Sequence, residues 1–304
     1  MVVHLRAALI LLILSTPVVS RAAHGRLSLS AMAGGGYASD VFVGADLGSG
    51  AMTQVIPSAR LDLSLSPHWK LAAFADASLG YYVSSGFASL AGSTALEARF
   101  IPGSTWDATL TLDADHARHS LGSPLDSSSG AGPQVFSTLG ARASPLLRLR
   151  ALGLEWRVAG VGATRTSTAA DGDIAEQDLA ALGGLMIPLG EDSSFALTYK
   201  LGLTESTRAD FTFTSHAVFA MASWRLAEIN WQAQLQLQTA KFATGTREGF
   251  GRLTFSATYA IVRSVDLEAT YSIAASQFDD ASRPSASRHL AFLALRWRFL
   301  EMSW

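Results

Sequence analysis

The chain has 304 residues, 49% of them hydrophobic and only 16% charged, with a mean hydropathy of +0.24 and a net charge of −2. That composition excludes a disordered chain and lies below the roughly one-quarter charged residues of an ordinary soluble domain. The one notable apolar run, 7–14, is far short of the ~20 residues a spanning helix needs, and lipid admits only helices and closed barrels. An all-β fold is therefore expected: a transmembrane antiparallel up-and-down β-barrel.

The first element is a leader. Arg6 precedes the apolar run, and small residues follow, with Ser20, Arg21 and Ala22 fitting a cleavage site. Basic, apolar and small residues in that order predict a secretory signal peptide over residues 1–22, with the barrel over 23–304. Removing Arg6 and Arg21 leaves 21 basic against 25 acidic residues, a net charge of −4. That balance has no nucleic-acid footprint, and no nucleic-acid partner is expected. There is no cysteine, which excludes disulfides, thiolate metal sites and a lipidated N-terminal Cys.

After the leader, residues alternate between apolar and polar, with turn residues between the segments. Fourteen strands are predicted, at 26–38, 55–66, 69–83, 88–101, 105–119, 134–147, 151–167, 176–189, 194–207, 211–226, 230–243, 249–263, 265–278 and 287–300. The fifth is the clearest. Trp106, Ala108, Leu110, Leu112 and Ala114 share one face, and Asp107, Thr109, Thr111, Asp113 and Asp115 share the other. In the ninth, Lys200 and its polar neighbours oppose Phe195, Leu197 and Tyr199. In the eleventh, Gln232, Gln234, Gln236 and Gln238 alternate with Trp231, Ala233, Leu235 and Leu237. In the thirteenth, Asp266 and Glu268 oppose Val265, Leu267 and Ala269.

Short turns are predicted at 66–68, 102–104, 148–150, 190–192, 227–229 and 263–264, and longer connections at 39–54, 120–133, 168–175 and 279–286. An even strand count puts both termini on one side. Three segments are ambiguous, so twelve or sixteen strands remain compatible. Segment 211–226 changes its apolar face, as a bulge would make it do. Segment 134–147 carries Pro145, which suits a strand end or bulge. Segment 176–189 has Leu182 and Gly184 on its second face. Trp69, Trp106, Tyr81, Tyr82, Tyr199, Trp224, Trp231, Tyr259, Trp297 and Trp304 lie mostly near segment ends, the pattern of an aromatic girdle.

With these features the chain resembles bacterial outer-membrane β-barrel proteins of the porin-like, single-chain kind. The resemblance covers the whole mature chain and rests on architecture. It implies export to the Gram-negative outer membrane, contact with outer-membrane lipid, and a C-terminal strand read by the barrel-assembly machinery. Leu300, Met302 and Trp304 alternate to the terminus, out of phase with Leu293, Leu295, Trp297 and Phe299. Either a bulge shifts the phase near Phe299, or Phe299 ends the last strand and 301–304 is a tail. With the first strand expected close behind the leader, no plug and no passenger are expected.

The expected pore lining is Arg99, Asp107, Asp113, Asp115, Arg142, Glu155, Arg157, Lys200, Gln232, Gln234, Gln236, Asp266, Glu268, Arg296 and Arg298. Hairpin spacing places Arg99 across from Asp107, Arg142 near Glu155 and Arg157, and the acids at 266 and 268 near the arginines at 296 and 298. Opposite charges on neighbouring strands attract and can set a transverse field for passing solutes. Asp113, Asp115, His116 and His119 form the one suggestive ligand cluster, but their spacing matches no metal motif and His116 falls on the other face, so no metal and no cofactor are expected. Barrel enzymes carry Ser/His or Asp/His sites near the rim. Ser120 beside His119 is only a sequence neighbour, and no enzymatic activity is expected. The leading expectation is a passive channel for small hydrophilic solutes. A scaffold barrel in an envelope-spanning complex, with periplasmic partner proteins, is the alternative, and a rim-sited hydrolase is the third.

Overall fold

A computed structural model describes residues 24–39, 50–83, 87–121, 134–169, 172–279 and 286–304. The expected leader lies outside these residues. Fourteen antiparallel strands close into one barrel, each paired with its chain neighbours and β1 with β14. They are β1 (His24–Ala38), β2 (Gly50–Ser64), β3 (Trp69–Tyr82), β4 (Phe87–Phe100), β5 (Trp106–Leu121), β6 (Gln134–Ala151) and β7 (Leu154–Ala169). The second half is β8 (Gly172–Pro188), β9 (Ser194–Ser206), β10 (Phe213–Leu226), β11 (Ile229–Phe242), β12 (Arg247–Val262), β13 (Val265–Phe278) and β14 (Ala286–Ser303). Closure leaves no free sheet edge, as a barrel in lipid requires.

The strands are strongly tilted. One row of paired residues starts at His24, the first residue of β1, and passes through Lys70, Arg99, Thr109, Ala159, Lys200 and Gln238. It ends at Ala286, the first residue of β14 at the opposite rim. A row perpendicular to the strands thus climbs the whole wall, which is how a staggered barrel closes.

Pairing and burial separate the two faces. Leu96, Leu110, Leu112, Val158, Leu179, Leu197, Leu235, Leu237 and Leu293 lie on the outer face and are exposed, forming an apolar surface around the wall. A band of that kind suits lipid rather than water. Trp69, Trp106, Trp156, Trp224, Trp231 and Trp297 lie on the same face toward the rim that carries the termini. Trp69 packs on Phe100 with ring centroids 4.8 Å apart, and Trp224 stacks on Trp231 at 6.5 Å. Five of these belong to the expected girdle and Trp156 is added; Tyr81 lies on the outer face at the opposite rim and Tyr199 in the middle of β9. Tyr82 does not belong to the girdle, because its register with Met52 and Phe87 puts it on the inner face.

Several local expectations change. The turn expected at 148–150 is about three residues further on, at Leu152 and Gly153, both with positive φ (57° and 74°). Ala227 and Glu228 make the same kind of two-residue turn, with φ of 50° and 67°. Their twist matches that of the flanking strands, although it places three non-glycine residues in the left-handed region. The connection expected over 168–175 shrinks to two residues, because β7 and β8 extend to Ala169 and from Gly172. β10 has no bulge. Its register is continuous on both sides, and Phe213, Phe219 and Met221 simply face inward while Trp224 and Leu226 face outward.

Pro145 sits well inside β6, not at an end. It pairs with Leu110 on one side and interrupts the β6–β7 ladder on the other, between Ala143 and Leu146. Its ring would lie 3.5 Å from a Cβ at Gly160, so a glycine accommodates it. The last strand follows the bulge alternative. The β1–β14 register shifts between Leu29 and Ser30, leaving Phe299 as the extra residue, and pairing continues to Ser303. Trp304 still exchanges two backbone hydrogen bonds with Gly25.

Candidate functional site: the charged collar of the lumen

The inner face carries all fifteen residues expected to line a pore. On β5, Asp107, Asp113 and Asp115 share the face that meets Arg148, Arg142 and Gly140 of β6. The registers of β4, β7, β9, β11, β13 and β14 place Arg99, Glu155, Arg157, Lys200, Gln232, Gln234, Gln236, Asp266, Glu268, Arg296 and Arg298 on this same face.

The densest group is at the terminus-bearing mouth. Asp107, the second residue of β5, is 0% exposed although it is charged. Arg99 grips both its oxygens at 3.1 and 3.0 Å, Arg148 donates at 2.8 Å, and Arg150 at 2.6 Å. Arg148 also donates to Thr109 Oγ1 at 3.0 Å. The chain of charges continues from Arg150 to Glu155 at 3.5 Å and from Glu155 to Arg157 at 2.7 Å. Arg157 ends on Met186 Sδ at 3.0 Å. A buried carboxylate is tolerable only when its lone pairs are filled, and three guanidinium groups fill them.

Across the mouth, Arg298 pairs with Asp266 at 2.7 Å and Arg296 with Glu268 at 2.5 Å. Arg26 pairs with Glu301 at 2.8 Å and Arg60 with Asp62 at 2.7 Å. These groups form a collar from β13 through β1 to β7. The remaining arc is sparser in charge, with Arg225 facing inward near the end of β10. Ser194 and Ser223 share a hydroxyl contact of 2.8 Å, and Gln232 donates to Met221 Sδ at 2.9 Å. The ion pairs are thus concentrated from β13 through β1 to β7.

The sequence-based pairing holds for Arg99 with Asp107 and for the β13–β14 pairs. It fails for Arg142, which pairs with Asp113 at 2.9 Å rather than with Glu155 or Arg157. The shifted β6–β7 turn is the reason: Arg142 now faces Ala163, and Arg148 and Arg150 face Arg157 and Glu155. The sequence places Arg148 and Arg150 in an expected turn and so leaves them out of the lining. Leu147 and Leu149 continue the outward alternation beside them, and that pattern could have revealed them.

The suggested ligand cluster is split. His116 lies on the outer face, its Nδ1 2.9 Å from the Thr138 carbonyl, away from Asp113 and Asp115. The side chain of His119 lies outside the described residues.

Solvent reaches the middle of the lumen. Arg142 lies near the centre of β6, yet its side chain is 54% exposed. Gln234, inward-facing in the middle of β11, is also exposed.

No family model matches the chain, and no curated protein does. Solved structures do. A TodX monoaromatic hydrocarbon channel mutant matches with a TM-score of 0.52 and 10% identity, covering 91% of this chain and 90% of that one. A loop-deletion mutant of OmpT, an outer membrane protein of Vibrio cholerae, matches with a TM-score of 0.53 and 9% identity, covering 92% and 99%. The fold is that of a single-chain outer-membrane β-barrel. At these identities the likeness speaks for the fold alone.

Proposed function

We propose that the chain is a non-catalytic outer-membrane channel through which small hydrophilic solutes diffuse passively. The observation that carries this is the water-accessible inner face: Arg142 and Gln234 stand at mid-wall on the lumen side and remain exposed. A fourteen-strand barrel lies between small barrels filled by side chains and sixteen-strand barrels with aqueous channels. Small inward residues, Gly34, Gly36, Ala159, Ala163, Ala180 and Gly202, help leave space. The collar then acts as the charge-sorting element of the path, with Asp107, Arg99, Arg148 and Arg150 on one side and the sparsely charged β8–β11 arc, where Arg225 faces inward, on the other.

On this reading the leader directs export, the apolar band meets outer-membrane lipid, and Leu300 and Met302 on the outward face of β14 form the strand read by the assembly machinery. The deciding experiment is single-channel recording of the refolded, leader-free protein in a planar bilayer. Discrete, stable steps are expected. A folded, heat-modifiable barrel that gives no steps refutes the channel and points to a scaffold barrel, whose periplasmic partners would then be sought by pull-down.

A further inference from the structure

We infer that the outer wall binds a phosphorylated lipid of the surrounding leaflet, its phosphate between Lys241 and Arg247 and an acyl chain in the glycine-floored groove beneath. The inference rests on the outer-membrane reading above and adds a ligand site to it.

The charge pattern is the first ground. Lys241, near the end of β11, and Arg247, the first residue of β12, are directly paired in the register. Both are on the outer face at the rim away from the termini, and both are exposed. Among the described residues, neither side chain has an ion-pair partner. The nearest acid contact is Asp279, whose carboxylate accepts the backbone N–H of Arg247 at 2.7 Å. Like charges directly opposite each other on neighbouring strands repel. An anion seated between them removes that repulsion, and phosphate suits the pair because guanidinium and ammonium both donate to its oxygens.

The groove is the second ground, and it is independent of charge. Gly249, Gly251 and Ala275 form a floor on the outer face, beside Val218, Leu237 and Tyr199, in a groove of about 770 Å³. It runs into a second space of about 570 Å³ that reaches Lys241 and Arg247, the two sharing His216, Thr239, Gly249 and Gln277. Neither glycine is required by the backbone or by packing. Neither has positive φ, and an added Cβ would have its nearest neighbour at 4.0 Å for Gly249 and 3.6 Å for Gly251. Glycine weakens a strand interior and marks places where another group comes close. Two successive outward-facing glycines with room for side chains keep a channel open along the wall.

The side chains change character up this groove as a lipid does. Tyr199, Val218 and Leu237 are apolar or amphipathic. Above them, His216 is held by the Tyr199 hydroxyl at 2.5 Å, with Thr239 and Gln277 near it, and the two cations come last. Hydrocarbon, polar interface and phosphate levels follow in that order.

The test is native mass spectrometry of the refolded full chain in a nonionic detergent, with bis-phosphorylated lipid A as the probe and its phosphate-free form as the comparison. Wild type is expected to retain one phosphorylated lipid. Lys241→Gln with Arg247→Gln, and separately Gly251→Val, are each expected to lower retention about tenfold while the barrel stays heat-modifiable, the loss of two charge-assisted contacts or of the acyl seat. Three results overturn the site: undiminished retention in the charge variant, equal retention of the phosphate-free lipid, or displacement by millimolar inorganic phosphate, which would indicate a free-anion site. A mass doubling without lipid also overturns it, since a second copy would then occupy the groove. Fractionation of the wild type from the same cells separates the two readings: a chain that reaches the outer membrane but holds no lipid refutes the site alone.

Discussion

Asp107→Asn removes one charge from the most enclosed ion-pair group in the barrel while leaving its shape almost unchanged. Asp107 is fully buried, and Arg99, Arg148 and Arg150 keep 31%, 20% and 38% of their side-chain exposure around it. Breaking a buried pair costs about 3–5 kcal/mol, and solvent contact at the three arginines lowers this to about 2 kcal/mol. Denaturant unfolding of the folded barrel, read by tryptophan fluorescence, measures that loss. The channel readout is sharper. The collar gains one net positive charge, and a unit charge ~8 Å from a passing ion is worth about 0.2 kcal/mol in ~0.1 M salt and about 0.4 in ~0.01 M. The effect lowers the barrier for anions and raises it for cations, so their permeability ratio rises about twofold at the higher salt and about fourfold at the lower. Reversal potentials across a salt gradient read this ratio. A ratio unmoved at both salts, or moved toward cations, refutes the assignment of the collar to the permeation path.

Arg142→Gln tests the opposite sign. Arg142 is half exposed but Asp113 keeps only 13% of its side-chain exposure, so stability is expected to fall by about 1 kcal/mol, while reversal potentials move toward cations. At the β1–β14 seam, a Cβ at Gly36 would run into the Ala291 carbonyl and the Phe292 backbone. Gly36→Val is therefore expected to lower stability by about 3 kcal/mol and to reduce the heat-modifiable fraction, with Gly183→Ala, which meets nothing, as the neutral control. Replacing Ala227 and Glu228 by Asn and Gly relieves two left-handed non-glycine residues in one turn, and a gain of about 1 kcal/mol in denaturant unfolding is expected.

Strand number and face were legible because each strand opposes one polar and one lipid-facing row, and a period of two survives errors at either end. Turn positions were less legible. Arg148, Leu149 and Arg150 have the polarity of a turn, but they continue an alternation that began at Leu139, and Leu152 beside Gly153 carries no strong turn signal. Pro145 misled for a related reason. Proline removes one donor, and a strand loses one ladder contact rather than its register when a glycine faces the ring, as Gly160 does.

The candidate site depended on those turns more than the fold did. Every predicted lumen residue kept its face, because a face needs only parity. Its partner needs the register, and a turn placed three residues early moves each partner along the neighbouring strand by several positions. Arg99 and Asp107 were paired correctly because the turn at 101–105 falls where Pro102 and Gly103 announce it. Arg148 and Arg150 could not be assigned to Asp107 until the β6–β7 turn was fixed. The cost of that error is electrostatic: with Arg99 alone, Asp107 belongs to a simple pair, whereas with Arg148 and Arg150 added the same carboxylate organises three cations against one wall. That difference turns a mixed lining into a local cluster of three cations around one carboxylate, and it is why one neutralised carboxylate should be felt by an ion crossing the mouth.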